Sequence, residues 1–154
     1  MTSLIVVNLH GLINTPSGTR KTLIELGIGK RFAATVVSDD ESTIGALHLC
    51  KEYLAWTPID AELLTTLLKT RGKVSNAKPL GADELKVLGV KDHSELASKM
   101  IKEGWRLSSL KGVKPFFGLS PPRGGFKRSS RRQFGQGGIL GENPKLVDIV
   151  KRML

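Results

Sequence analysis

Short apolar runs alternate with segments of helical spacing over the first part of the chain. The strand-like runs are Leu4 to Leu9, Phe32 to Val37 and Tyr53 to Ile59, and the helical segments are Thr19 to Leu26 and about Ser42 to Glu52. The β-branched first run is typical of a buried strand. Pro58 either ends the third run or places it at a sheet edge. The pattern predicts the order strand, helix, strand, helix, strand.

This order limits the fold. Two crossover helices of this length are expected to lie on one face of a small three-stranded sheet, as in split β-α-β folds. We therefore predict an α+β core domain at residues 1–59.

Helical spacing dominates the middle of the chain. Leu63, Leu64, Leu67 and Leu68 form an apolar stripe that predicts a helix beginning near Asp60 and ending at Gly72. Shorter helices are predicted at Ala82 to Leu88 and from Ser94 to Gly104. We assign residues 60–112 to a helical extension.

The last part of the chain has little periodicity until its end. Residues 105–142 are predicted to be loop-like, and a loop of this length usually has a function. Asn143 and Pro144 begin a final helix, Lys145 to Met153, whose apolar residues suit packing on the core. The predicted boundaries are a basic arm at residues 113–142 and a C-terminal helix at residues 143–154.

Basic residues are concentrated toward the end of the chain. The net charge is +10, yet residues 1–72 carry seven basic and seven acidic residues. Residues 73–112 carry eight and five, and residues 113–154 carry nine and two. A neutral front and a basic back are expected of a protein that binds nucleic acid. A basic surface that is merely solvated is the alternative.

The stretch from Lys114 to Arg132 is the centre of this charge. It has no acidic residue, and its basic residues are Lys114, Arg123, Lys127, Arg128, Arg131 and Arg132. Prolines and glycines interrupt both helix and strand periods, so the stretch cannot bury a core of its own. We expect a polyanion to order it and predict that these six residues contact phosphates.

Four of the five phenylalanines, Phe116, Phe117, Phe126 and Phe134, lie in or beside this stretch. They either stack on unpaired bases or pack on the domain. Packing is favoured, because a glycine-rich arm needs anchors.

Two further basic pairs flank the first predicted helix. Arg20 and Lys21 stand at its start, and Lys30 and Arg31 precede the second strand. Together the two pairs are predicted to meet one phosphate backbone, and exposed solubilising charge is an equal alternative for each pair alone.

Enzymatic chemistry finds little support. Six residues separate Gly11 from Gly18, and Thr19 follows, so the first loop lacks the spacing of a phosphate-binding loop. His10, His48 and His93 have no metal-ligand spacing with one another or with Cys50. The single cysteine excludes an internal disulfide. We predict no catalytic residue, metal, cofactor or small-molecule substrate.

No stretch has the length and hydropathy of a membrane span, and none has the pattern of a targeting segment. The expected location is the cytoplasm.

Several local motifs point to a family. In the front part they are Arg20-Lys21-Thr22-Leu23, Leu26-Gly27-Ile28-Gly29-Lys30-Arg31 and Gly45; in the later part they are Tyr53-Leu54-Ala55-Trp56, Ile59-Asp60, Arg71-Gly72, Lys78-Pro79-Leu80, Lys114-Pro115-Phe116, Pro121-Pro122-Arg123, Gly125-Phe126, Gly137-Gly138, Leu140-Gly141 and Lys151-Arg152-Met153-Leu154. With these motifs the whole chain resembles the long, archaeal and eukaryotic type of large-subunit ribosomal protein L thirty. The segment Lys127 to Arg132 departs from the family pattern in being richer in arginine and serine.

The resemblance implies a ferredoxin-like β-α-β-α-β core with an antiparallel sheet. It also implies a structural role in the large ribosomal subunit, with 23S ribosomal RNA bound through the first loop and helix near Arg20 and through the arm. A contact with 5S ribosomal RNA and contacts with neighbouring large-subunit proteins are further expectations. A non-ribosomal RNA-binding module, or an RNA chaperone with a basic tail, is the alternative function.

Overall fold

The computed structural model describes residues 2–76 and 78–154, so Met1 of the predicted core and Ala77 of the predicted extension lie outside the described residues. The first five elements are β1 (Ser3–Asn8), α1 (Ser17–Glu25), β2 (Ala33–Ser38), α2 (Glu41–Leu49) and β3 (Leu54–Pro58). The next are α3 (Ala61–Arg71), α4 (Ala82–Val87) and α5 (His93–Glu103). The last are β4 (Phe117–Gly118), β5 (Ser129–Gln133), β6 (Gly138–Glu142) and α6 (Leu146–Met153).

Strand β1 lies between β2 and β3 and is antiparallel to both. Leu4 pairs with Val37 on one side and with Pro58 on the other. All six residues of β1 are buried, which explains why its four central residues, Leu4 to Val7, are apolar without alternation. The predicted β-α-β-α-β order and the antiparallel sheet are confirmed, and Pro58 is the last residue of β3.

Helices cover both faces of this sheet. Leu23 of α1 and Leu47 of α2 belong to one buried cluster with Leu4 and Val6 of β1. The two crossover helices therefore share one face, as predicted. Ile5 and Val7 belong to the second cluster, because neighbouring strand residues point to opposite faces. The members of this second cluster from α3, α5 and α6 are Leu63, Leu64, Leu67, Leu68, Leu96, Ala97, Met100, Leu146, Ile149, Val150 and Met153.

The sheet is wider than the three predicted strands, because the arm adds to both of its edges. The strand order is β4-β2-β1-β3-β6-β5. Strand β4 pairs with β2 in antiparallel fashion, whereas β6 pairs with β3 in parallel. Phe117, Ile139 and Leu140 are buried in the same cluster as the helices of the extension.

The prediction that residues 105–142 are loop-like throughout is therefore wrong. Strand β4 has only two residues, and the sequence of β5, SSRRQ, has no apolar residue to give a period. Both form strands because of their partners: β4 pairs with β2, which is distant in the sequence, and β5 pairs with β6, which itself pairs with β3. A Cβ at Gly138 would overlap the carbonyl oxygen of Arg132, which explains a glycine where β6 begins beside β5.

One ion pair joins the end of the helical extension to the core. The Arg106 guanidinium donates to Asp40 Oδ1 at 3.2 Å and to Thr43 Oγ1 at 2.8 Å. Asp40 is the N-cap of α2 and accepts from the Thr43 backbone N–H at 3.2 Å. Hydrogen bonds from the Ser38 hydroxyl and then from Thr43 hold the pKa of Asp40 below its usual range.

Two arginines outside the arm hold its backbone. Arg152 of α6 donates from Nη1 to the carbonyl oxygens of Arg123 at 3.1 Å and Gly125 at 2.6 Å. Arg71 at the end of α3 donates to the Gly118 carbonyl at 3.2 Å and to Ser120 Oγ at 3.0 Å. Charge-assisted bonds of this kind are stronger than neutral ones. The arm is thus tied to the domain along its length as well as at its ends.

We expect Arg152→Gln to loosen the turn that contains Arg123 and Gly125, because two carbonyl oxygens would no longer have a charged donor. Hydrogen exchange followed by mass spectrometry should show faster exchange in the peptide spanning residues 119–126. The free energy of unfolding should fall by only about 1 kcal/mol, since these bonds are exposed. Lys151→Gln removes the same charge from the neighbouring exposed position and serves as the control. Equal exchange in the two variants would contradict the tethering role of Arg152.

Candidate nucleic-acid interface

The structure places the ten predicted RNA-contacting residues in separate groups. Lys114 is half-buried, and the side chains of the other nine are exposed. The largest group joins the core to the arm, because Arg31 lines one open cleft together with Arg131 and Arg132 of β5. The remaining residues lie beside the first loop, next to α6 and near β4.

The cleft, about 560 Å³ in volume, lies at one end of the sheet. Strand β1 ends there, and β2 and β3 begin there, so the residues that follow or precede these strands line it. The residues lining the cleft are Leu9, His10, Arg31, Glu52, Tyr53, Ser130, Arg131, Arg132, Gln133 and Gln136. Three of them carry guanidinium groups and one carries a carboxylate, so the cleft favours an anion.

The core side of the cleft is held by the side chain of Asn8, which is fully buried. Its Oδ1 accepts from the backbone N–H groups of His10 at 3.0 Å and Gly11 at 2.9 Å. Its Nδ2 donates to the carbonyl oxygen of Ile28 at 2.7 Å. One amide therefore fixes both the turn after β1 and the loop before β2, because buried polar groups must find partners. Gly11 adopts φ +93°, which favours glycine in that turn.

Arg31 lies against the ring of Phe32, a residue with an unusual backbone conformation. Phe32 has φ +63°, a left-handed conformation that bulky residues rarely adopt. Its N–H donates to the carbonyl oxygen of Asn8 at 2.6 Å, and its ring lies 4.8 Å from Arg31 Cζ. Phe126 of the arm packs against Phe32, and the centroids of the two rings lie 6.1 Å apart. The strain at Phe32 thus accompanies contacts to both the core and the arm.

Two aromatic side chains in the cleft were not among the predicted site residues. The rings of His10 and Tyr53 meet edge to face, with centroids 5.1 Å apart and planes at 72°. Tyr53 is positioned by its backbone, because its carbonyl accepts from the Leu9 N–H at 3.1 Å. The signal that would have found them is topological: in an antiparallel sheet, residues just after β1 and just before β3 meet at one end.

The other predicted residues of the front part lie beside the first loop. Arg20 Nη2 donates to the carbonyl oxygen of Leu12 at 3.3 Å, and Lys21 is its exposed neighbour on α1. Lys30 lies next to Arg31 and lines a separate, mostly apolar hollow with Leu12. Arg20 and Arg31 therefore both border the first loop. That the two pairs meet one phosphate backbone stays a prediction.

A second basic hollow, of about 240 Å³, lies between the arm and α6. Its basic residues are Lys127, Arg128, Lys145 and Arg152, and Asp148 is its acidic residue. Arg128 Cζ lies 4.8 Å from the centroid of the Phe134 ring, and Nη2 donates to the Phe134 carbonyl at 3.3 Å. Arg123 is close by, since its carbonyl is held by Arg152.

Lys114 is not brought into either hollow. Its N–H donates to the carbonyl oxygen of Lys73 at 2.9 Å, and the next residue, Pro115, accepts from Thr35 Oγ1 at 2.8 Å. It therefore lies on the β4 side of the sheet, opposite the edge formed by β5. Lys114 is close to the basic residues of the arm in the sequence, but the chain crosses from one edge of the sheet to the other between Lys114 and β5.

Most of the arm phenylalanines pack on the domain. Phe117 is buried, and Phe116 and Phe126 are partly buried against the two clusters. Phe134 is half-buried beside Arg128. The preference for packing over stacking is confirmed for the first three.

Comparison with known proteins agrees with the fold. The family described as "Ribosomal protein L30p/L7e" matches residues 4–54. A protein of Nitrosopumilus maritimus named "Large ribosomal subunit protein uL30" is 35% identical over 152 residues, which cover 99% of this chain and 98% of the relative. The protein of the same name from Cenarchaeum symbiosum is 37% identical, with 97% of each chain covered. The protein of that name from Aeropyrum pernix is 35% identical, again with 97% of each covered.

The chain belongs to the uL30 family. The predicted resemblance is confirmed. The matched family segment includes Arg31 and Tyr53 but ends before Arg131 and Arg132. The cleft thus combines the part common to the family with the longer part that the archaeal relatives cover.

Other kinds of site receive little support from this uL30 chain. Within residues 2–76 and 78–154, no group of three or more His, Cys, Asp or Glu side chains could hold a metal ion. In the same part of the chain, no helix is long and apolar enough to span a membrane. Cys50 is buried, and this burial raises the pKa of its thiol, so it is a poor nucleophile at neutral pH.

We expect Asn8→Ala to destabilise the protein by about 2–4 kcal/mol, because three backbone groups would be left without a buried partner. Chemical denaturation should show the effect as a lower midpoint with an unchanged slope. Ser108→Ala, at an exposed position, is the control and should change stability by less than about 0.5 kcal/mol. A value for Asn8→Ala no larger than the control's would show that the amide does not hold the cleft.

Proposed function

We propose that this protein is a structural constituent of the large ribosomal subunit that binds and bridges 23S ribosomal RNA. The observation that carries the proposal is the cleft that Arg31 of the core lines together with Arg131 and Arg132 of the arm. Family membership supports the subunit, since the relatives are named large ribosomal subunit proteins. The cleft supports RNA as the direct partner, because guanidinium groups match phosphate geometry.

Bridging follows from where the basic groups lie. Arg20 and Arg31 border the first loop, whereas Arg123, Lys127 and Arg128 lie near α6. Two RNA segments that meet these surfaces would be held by one rigid body. The arm was expected to be ordered only by RNA, but its carbonyl oxygens are already bound by Arg71 and Arg152. A pre-ordered arm loses less conformational entropy on binding.

Neighbouring large-subunit proteins are additional partners, and 5S ribosomal RNA is a second candidate RNA. The role is structural rather than catalytic, in the cytoplasmic ribosome. It requires no cofactor and no small-molecule substrate.

Sedimentation of a cell extract tests the assignment to the large subunit. We expect the protein in the large-subunit fraction in near-stoichiometric amount, released only by high salt, because counterion release weakens phosphate binding as salt rises. A protein found mainly in the light fractions would instead support a non-ribosomal RNA-binding module or chaperone.

The salt dependence of RNA binding tests the arm. Replacing Arg123, Lys127, Arg128, Arg131 and Arg132 by Gln should weaken binding to ribosomal RNA and flatten its log–log salt slope by roughly one for each phosphate that the variant no longer neutralises. A matched control replaces five exposed lysines of the extension by Gln so that the net charge falls equally: Lys69, Lys86, Lys91, Lys102 and Lys111. Equal slopes for the two variants would rule out the arm as the contact surface.

A further inference from the structure

The cleft has a feature that phosphate binding alone does not explain. Two aromatic rings, those of His10 and Tyr53, line it together with the three arginines. A surface that only follows a phosphate backbone needs charge, whereas aromatic faces are used where bases are unpaired and can stack. A cleft with both guanidinium groups and aromatic rings matches a whole nucleotide, which has a phosphate and a base.

The two chemistries lie on different parts of the wall. Arg131 and Arg132 come from β5 and Arg31 from the loop before β2, whereas Glu52 and Tyr53 come from the turn that precedes β3. A carboxylate repels phosphate but accepts hydrogen bonds from the N–H groups of a base edge. Glu52 therefore favours the base on the side of Tyr53 and leaves the phosphate to the arginines.

The wall is also held in place before any ligand binds. On the core side, the Asn8 amide fixes the backbone of His10, and Tyr53 is paired through its carbonyl with Leu9. On the arm side, Gln133 Nε2 donates to the carbonyl oxygen of Lys51 at 2.8 Å, which ties β5 to the turn before Tyr53. The volume of about 560 Å³ lies within the usual range of pockets for small ligands.

We propose that this cleft binds one unpaired nucleotide of ribosomal RNA, with the base against Tyr53 and the phosphate against Arg31 and Arg131. The proposal rests on the proposed function, because it takes ribosomal RNA as the partner. It adds that recognition is of an extruded base, so paired RNA binds only through its backbone.

Tyr53 is the single tyrosine of the chain. Incorporating 3-fluorotyrosine into the full-length protein therefore gives one fluorine NMR signal, and this signal comes from the cleft. A single-stranded RNA of about ten nucleotides should shift the signal, because a stacked base places its ring current on Tyr53. A fully paired RNA hairpin of equal charge should bind without this shift.

Three other results would contradict the proposal. An equal shift with the hairpin would overturn the requirement for an unpaired base. An equal affinity for guanosine monophosphate would replace the RNA site with a site for free nucleotides. A shift with an acidic peptide but not with RNA would assign the cleft to a protein partner instead.

Variants measured by the anisotropy of labelled single-stranded RNA complete the test. Tyr53→Ala should weaken binding about fivefold or more, whereas Tyr53→Phe keeps the ring and most of the affinity. The double variant Arg131→Gln with Arg132→Gln should weaken binding and flatten the salt slope by roughly one, because one phosphate contact is lost, while Lys86→Gln with Lys102→Gln should leave the slope unchanged. Equal affinities for Tyr53→Ala and the unaltered protein would overturn the base contact.

Sedimentation separates the two proposals. If the unaltered protein is in large subunits but its Tyr53 signal does not respond to RNA, only the cleft inference fails. If the protein is absent from large subunits, the proposed function fails whatever the NMR result.

Discussion

The basic cleft depends on a single buried amide. Asn8 lies at the end of the central strand, where it joins the turn at Gly11 to the loop at Ile28. The backbone carbonyl of Asn8 accepts the N–H of Phe32, whose backbone is left-handed and whose ring centroid lies 4.8 Å from Arg31 Cζ. A buried amide that satisfies three backbone groups stabilises one arrangement of these loops over others, since any other arrangement leaves polar groups unpaired.

The arm is an integral part of the fold rather than a tail on a finished domain. It adds strands to both edges of the sheet, and its apolar residues Phe117, Ile139 and Leu140 are buried in the main cluster. Edge strands with unpaired backbone groups promote aggregation, and a basic strand such as β5 at the edge counters this by charge repulsion. The same charges form one wall of the cleft, so protection of the edge and the proposed binding use the same residues.

Much of the fold could be predicted from the sequence because its signals are local. The β-branched run at Leu4 to Leu9 predicted a strand, and the leucine stripe beginning at Leu63 predicted α3. The strands of the arm could not be predicted this way, because SSRRQ has no apolar period and β4 has two residues. Among the candidate site residues, Arg31, Arg131 and Arg132 meet as a group, whereas Lys114 lies on the opposite side of the sheet.

The sequence by itself determined the order of the core elements, the concentration of charge and the family. Periodicity and motifs depend only on residues that are close in the sequence, and charge is counted along the chain. Only the tertiary structure decided that Arg31 meets Arg131 and Arg132, and that His10 and Tyr53 share their cleft. These residues are brought together by antiparallel pairing of β1 with β2 and β3 and by the return of the arm to the sheet edge. These contacts depend on pairing between strands that are distant in the sequence, and the local residue pattern does not predict that pairing.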